Sequence, residues 1–161
     1  MKKLHSTLLV GIMAIAAWAM TGCTGYPDGP GVSFKSAQSK ITTTWRIQDA
    51  SLKGNEITSE YTDDFLQFNS NGEFQYFDAN RQIRIPPFTQ DTIMPIEGLG
   101  QWEFLDGNKQ VELFYTFEFV DPYNSDIIYS EDINERWDIT RLADGELWMR
   151  KGDLFLKLEF F

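Results

Sequence analysis

Hydrophobic and polar residues alternate along most of the chain from residue 41 onward. This period of two is typical of β-strands with one buried and one solvent-facing side. The first such stretch places Ile41, Thr43, Trp45 and Ile47 on one face, and the longest, 110–120, has hydrophobic residues at five successive positions of one parity. No stretch of ten or more residues after residue 22 has a convincing helical period. The pattern therefore predicts an all-β fold.

Turn signals separate the expected strands at short intervals. The tetrapeptide Asn69-Ser70-Asn71-Gly72 is a strong hairpin signal between strands at 65–69 and 73–78. Further turns containing Gly predict the later strands at 101–104, 110–120, 136–142, 146–150 and 154–160. About eight short strands joined by consecutive hairpins predict an antiparallel up-and-down meander. Because closure hides the sheet edges, we expect an eight-stranded barrel, either fully closed or partly open.

The segment 81–98 interrupts this alternation. It contains Pro86, Pro87 and Pro95 among several large hydrophobic residues. Proline lacks the N–H that a central strand needs, so the segment is not expected to form one. A loop folded over a barrel mouth and a long connection packed on the outside both fit its composition.

The N-terminal residues resemble a bacterial lipoprotein signal. Two lysines precede an apolar run, 8–20, that is too short for a good transmembrane helix, and small residues precede Cys23. The resemblance implies that residues 1–22 are a signal peptide and that acyl chains, palmitate among them, are attached at Cys23 and anchor the protein in a membrane. The alternative is an ordinary secretory signal cut nearby, which would leave a free N-terminal thiol.

The residues after Cys23 suggest how the anchor and the folded part are connected. Thr24 rather than Asp follows the cysteine, which in the lipoprotein class favours the outer membrane, with the periplasmic and surface faces both open. The next residues are rich in Gly and Pro, so we expect a flexible tether over 23–40 that ends in a short helical turn. The folded domain is then expected over 41–161.

Composition excludes several classes of chemistry once residues 1–22 are removed. The chain has one His and one Cys, His5 and Cys23, so the mature form would have no His and no Cys beyond its first residue. Catalytic triads that use His, His-ligated zinc or haem, and internal disulfides are therefore excluded, and we expect no metal and no cofactor. The 12 basic and 24 acidic residues that remain would repel phosphate backbones, so nucleic acid is not an expected partner.

Several aromatic motifs between residues 41 and 161 resemble the lipocalin-like domain lipoproteins of Gram-negative bacteria. The motifs are Trp45, the hairpin 65–74, Gly100-Gln101-Trp102, 137–142 and 146–149. The resemblance implies a small up-and-down barrel or half-open sheet. It carries over no catalytic residue, and we expect a protein that is not an enzyme.

The aromatic residues lead to two hypotheses of function. In the first, one face of the strands lines a cavity for a small, largely apolar ligand. The residues expected to line it are Trp45, Phe68, Trp102, Tyr115, Phe117, Trp137 and Trp148. In the second, the same residues fill a solid core, and an envelope scaffold or interaction protein works through its outer surface. A hydrolase is the least supported hypothesis, because no pair among the many acids stands out.

Two acidic clusters are candidates for a cation site. Asp121, Asn124 and Asp126 could place oxygens around calcium, and Asp63-Asp64 form a second cluster. Turns in which Asp and Asn bond their own backbone explain both clusters more simply. No metal site is therefore predicted.

Overall fold

The computed structural model describes residues 25–29, 35–83, 92–120 and 127–161. The strands are β1 (Thr44–Leu52), β2 (Asn55–Glu56), β3 (Phe65–Phe68), β4 (Glu73–Ile83), β5 (Thr92–Leu105), β6 (Gln110–Val120), β7 (Ile127–Ala143), β8 (Glu146–Lys151) and β9 (Leu154–Phe160). The helices are α1 (Ala37–Ile41) and two 3₁₀ turns, Thr58–Tyr61 and Asp106–Asn108. No helix within these described ranges is long and apolar enough to cross a bilayer.

The strands form one closed antiparallel barrel. From β3 to β9 each strand pairs with the next along the chain, while β1 pairs with β3 on one side and with β9 on the other. The short β2 pairs with the end of β1 and stands outside this ring. The β1–β9 ladder runs from Trp45 opposite Phe160 to Leu52 opposite Leu154. The predicted eight-stranded up-and-down barrel is confirmed, in its fully closed form.

Burial along the strands follows the predicted alternation. Leu66 and Phe68 of β3 and Phe74 of β4 are buried on either side of the predicted hairpin. In β6, the inward face buries Val111, Leu113, Tyr115 and Phe117. The expected position of Ile41 in the first strand is wrong. Ile41 ends helix α1, which begins because the Ser36 hydroxyl accepts a hydrogen bond from the Ser39 amide at 3.1 Å.

One end of the barrel is filled by side chains and covered by the N-terminal segment. Ile41 and Trp45 are fully buried there, and the Trp45 indole donates to the Ile41 carbonyl at 2.8 Å. Lys40 donates from Nζ to the Leu142 carbonyl at 3.2 Å, which ties α1 to β7. Tyr26 packs against the core and donates to the Asn108 carbonyl at 3.0 Å. We call this the closed end.

The expectation that 81–98 forms a loop or connection is wrong for its described part, which continues two strands. β4 continues to Ile83 and β5 begins at Thr92, so Pro95 lies within β5. Opposite Pro95, β4 bulges between Asp78 and Arg81, and pairing of β5 with β6 begins only at Gly98. Proline is tolerated because, among the described residues, this part of β5 pairs with β4 alone, and β4 is bulged at that point. Pro86 and Pro87 lie outside the described residues, so the lid and outer-connection interpretations of that part stay untested.

Candidate ligand-binding pocket

A pocket of about 540 Å³ occupies the half of the barrel opposite the closed end. Its apolar wall is made by Leu66, Phe74, Leu113 and Leu156, which come from four different strands. Its mouth lies at the end of the barrel where β4 ends and where β7 and β9 begin. The 3₁₀ turn Thr58–Tyr61 contributes to the pocket lining. The interior therefore combines a solid half with an open half.

Two glycines of β5 make room for the rings that lie on the inner wall. A Cβ at Gly98 would lie 2.7 Å from Cδ2 of Tyr115 and 3.0 Å from Cε1 of Phe117. A Cβ at Gly100 would lie 1.8 Å from the Phe114 carbonyl oxygen of β6. Side chains at these positions would displace Tyr115 from the wall or push the two strands apart. These glycines thus set the shape of the pocket.

A buried carboxylate lies on the pocket wall at Asp64. The residue is 3% exposed. Its Oδ2 accepts a hydrogen bond from the Tyr76 hydroxyl at 2.7 Å, and its Oδ1 accepts one from the Ala79 amide in the β4 bulge at 2.9 Å. Burial raises the pKa of Asp64 to about 6, against the two hydrogen bonds, which lower it, and with the help of nearby Asp78 and Asp63. The same burial raises the pKa of Tyr76, which therefore acts as a donor.

The cations described in the pocket lining are paired with carboxylates. Arg81 hydrogen-bonds to Glu131 and lies 3.6 Å from Asp78, while its guanidinium carbon is 4.6 Å from the centre of the Phe117 ring. Burial also raises the pKa of Asp78, although Arg81 and the Asn80 amide lower it. Arg81 here and Lys151 on β8, the two cations in the described part of the lining, thus both have carboxylate partners.

The second pair joins β7 to β8. Lys151 donates from Nζ to Glu135 at 2.6 Å, and its Nζ lies 5.1 Å from the centre of the Trp137 ring. Glu135 also accepts a hydrogen bond from the Trp137 indole at 2.9 Å. The pair thus fixes an aromatic face and a cation at the mouth.

Tyr115 presents a polar atom to the pocket. The residue is 7% exposed, and its hydroxyl has no hydrogen-bond partner among the described residues. Its ring lies between those of Phe74 and Phe117, with centroids 5.2 and 5.4 Å away. Burial raises the pKa of Tyr115, so the hydroxyl stays protonated. The hydroxyl is not among the described side-chain atoms that are fully buried without a partner, so it is reached from the pocket and is available to a ligand.

The seven expected lining residues fall in four places. Tyr115 and Trp137 line the pocket. Trp45, Phe68 and Trp102 are buried in the solid half, where the Phe68 and Trp102 rings meet edge-on at 5.4 Å. Phe117 is fully buried beneath Arg81 and outside the lining. Side chains that all point into the barrel can therefore lie at different positions along its axis.

The inward assignment of Trp148 is corrected by the structure. Leu147 and Met149 on either side of it are fully buried, so Trp148 faces outward by alternation. Arg141 and Lys157 lie over its ring, at 5.1 and 5.3 Å from its centre. Two cations thus cover this aromatic side chain on the outer surface.

The sequence analysis missed the polar part of the pocket. Asp64 shares its parity with the inward residues Leu66 and Phe68, and Asp78 shares the parity of Phe74 and Tyr76. An acidic residue at a position that the alternation assigns to the barrel interior could have indicated a polar site there. The turn interpretation of Asp63-Asp64 took no account of it.

The two acidic clusters considered as cation sites differ in how far the structure describes them. No group of three or more His, Cys, Asp or Glu side chains is placed to hold a metal ion in the part of the chain that the structure describes. Asp121, Asn124 and Asp126 lie outside that part.

Fold and pocket together define a closed eight-stranded antiparallel barrel with a cavity at one end. A lipocalin-like protein from Bacteroides uniformis is similar in structure, with 10% sequence identity and a TM-score of 0.42 over 76% of this chain and 99% of that one. An uncharacterized protein from Bacteroides eggerthii is similar too, with 9% identity and a TM-score of 0.44 over 75% of this chain and 99% of that one. No protein-family model and no curated protein matches the sequence.

Proposed function

We propose that this protein is a lipid-anchored, non-enzymatic protein of the cell envelope that binds a small, largely apolar molecule inside its barrel. The pocket of about 540 Å³ carries the proposal. Ligand pockets in proteins commonly span about 300–1,000 Å³, with mostly apolar walls and a few convergent polar groups. Leu66, Phe74, Leu113 and Leu156 supply an apolar wall here, while the rest of the lining is more polar than in such pockets and includes the buried residues Asp64 and Tyr115.

The alternative, a filled barrel that acts through its outer surface, has less support. Its interior would be solid throughout, whereas side chains fill only the closed half here. Emptying half of a core sacrifices apolar contacts that would stabilise the fold. A role in ligand binding would explain why the barrel lacks these stabilising contacts.

The contacts of the tether with the barrel suggest which end of the barrel would face the membrane. Two residues before Gly25 stands Cys23, the expected lipid attachment site, which lies outside the described residues. Tyr26 contacts the closed end, and the Asp28 amide donates to the Thr140 carbonyl of β7 at 2.9 Å. Because each residue spans at most about 3.6 Å, lipid at Cys23 would hold the closed end near the outer membrane. The mouth would then face away from that membrane, on whichever side the protein is displayed.

A neutral fluorescent probe tests the binding role. N-phenyl-1-naphthylamine should brighten on binding to the wild-type domain and should bind at least about tenfold more weakly to Ile47→Trp, because Ile47 lines the pocket and the larger indole would narrow it. Leu99→Ser is the matched control, since Leu99 is 53% exposed on the outer face. Loss of binding in Leu99→Ser but not in Ile47→Trp would favour the outer-surface alternative. Native mass spectrometry of the purified domain would show a co-purifying ligand.

Metabolic labelling tests the anchor separately. Radiolabelled palmitate should enter the wild-type protein and not Cys23→Ala, since Cys23 is the only cysteine of the chain. Equal labelling of the two proteins would refute the anchor and leave the binding proposal intact.

A further inference from the structure

Asp64 is the buried carboxylate of the pocket that lacks a cation. Within the described residues its oxygens meet two neutral donors, the Tyr76 hydroxyl and the Ala79 amide, and no Lys or Arg pairs with it. A carboxylate has about four lone-pair sites, so two donors leave acceptor capacity towards the pocket. A buried charge without a counter-ion is costly and is normally paired.

The two cations that the structure describes in the pocket lining are already paired with other carboxylates. Arg81 is shared by Glu131 and Asp78, and Lys151 is held by Glu135. Glu60, also in the lining, adds a further negative charge. Among the described residues, four carboxylates of the lining and Glu131 beside it thus accompany two cations, and the acidic chain as a whole adds to the negative field.

We infer that the pocket accepts a ligand with an apolar body and a cationic, amine-type head group, and that Asp64 is the anionic partner of that head. The inference rests on the binding role proposed above and names its ligand class. A ligand ammonium would complete the missing ion pair beside Tyr76 and could donate to the unpartnered hydroxyl of Tyr115. Both side chains lie in the same pocket lining as Asp64.

Aromatic rings support the same head group. Tyr61, Tyr76, Tyr115 and Trp137 all contribute to the pocket lining. Ring faces attract cations, and the effect grows where water is excluded. The mouth already shows this arrangement, because Lys151 lies over Trp137 while Glu135 balances its charge. A ligand amine beside Asp64 would repeat that combination of carboxylate and aromatic face at a more buried position.

A ligand carboxylate fits the pocket less well. It would have to compete with Glu131 and Asp78 for Arg81, or with Glu135 for Lys151. It would also lie near the negative charge of Asp64. Like charges in a partly buried site repel more strongly than in water. The pocket therefore discriminates against fatty-acid-type ligands.

Competition by three ligands with one chain length tests the inference. Displacement of N-phenyl-1-naphthylamine at neutral pH is measured with 1-aminodecane, 1-decanol and decanoate, on wild type, Asp64→Asn and Asp63→Asn. The wild type should bind the amine about tenfold or more tightly than the alcohol, and decanoate most weakly. Asp64→Asn should remove the preference for the amine while keeping the affinity for decanol. Asp63→Asn, which removes the same charge from an exposed neighbour, should keep the preference.

Each outcome separates this inference from the proposal beneath it. Equal binding of the three ligands by the wild type, or tighter binding of decanoate, would overturn the amine class and leave the binding role standing. Equal loss of amine and alcohol binding in Asp64→Asn would assign Asp64 a packing role and overturn its assignment as the head-group partner. Failure of the probe and of all three ligands to bind the wild type would overturn the binding role and the amine class together.

Discussion

Replacing Asp64 by Asn should change how the stability of the empty barrel depends on pH. Burial raises the pKa of Asp64 from its usual 3.8 to about 6 in the folded protein, whereas the unfolded chain keeps the usual value. The folded state therefore binds this proton more tightly than the unfolded state does. Asp64 consequently favours folding more as the pH falls through 6, and this gain is complete below 3.8. At neutral pH the buried charge destabilises the fold.

The size of the effect follows from the pKa difference. Each pKa unit corresponds to about 1.4 kcal/mol, so the full change approaches about 3 kcal/mol. Between about pH 7.5 and about pH 4.5, roughly 2 kcal/mol of it should be visible. The asparagine side chain in Asp64→Asn would keep an acceptor for the Ala79 amide and has no charge to bury, so the variant lacks this contribution.

Urea unfolding of wild type and Asp64→Asn at the two pH values provides the measurement. Subtracting the stability of wild type from that of Asp64→Asn at each pH removes the contributions of groups that titrate in both proteins. Asp78 and Glu131, whose pKa values are shifted in opposite directions, are among these groups. The stability advantage of Asp64→Asn over wild type should shrink by about 2 kcal/mol on going to the lower pH. Asp63→Asn, at an exposed position, should differ from wild type by about 0.5 kcal/mol or less at both. An advantage of Asp64→Asn that stays constant or grows on acidification would refute the reasoning.

Three further variants test the packing by chemical denaturation. Gly100→Ala should lose about 3 kcal/mol, because its Cβ would meet the Phe114 carbonyl; an unchanged midpoint would contradict this contact. Phe68→Ala should lose about 3–5 kcal/mol from the solid half, against near zero for the 79% exposed Phe161→Ala; similar losses would show that the closed end is loosely packed. Pro95→Ala should stay within about 0.5 kcal/mol, and a larger loss would mean that the bulge depends on proline.

Local sequence signals predicted most of the strand order. The hairpin at Asn71-Gly72 and the final strand Leu154–Phe160 were placed correctly, because adjacent residues contain both the turn chemistry and the alternation. Pro95 shows where such reasoning fails. Its position within β5 depends on the bulge in β4 and on the residue at which β5 starts to pair with β6. Both are properties of neighbouring strands. Trp148 was assigned to the wrong face, although the buried Leu147 and Met149 beside it follow the alternation.

The amino-acid sequence alone determined that this chain forms an antiparallel barrel, because period-two burial and hairpin turns are encoded by residues close together in the chain. Only the tertiary structure decided where the barrel is solid and where it is open. Alternation specifies the side of the sheet on which a residue lies, but its depth depends on strand register, bulges and the segment that covers one end. Trp45 and Tyr115 both point inward, yet one is buried in the closed half and the other lines the pocket. Likewise, the hydrogen bond from the Ala79 amide to Asp64 depends on the bulge of β4, which local sequence signals do not show.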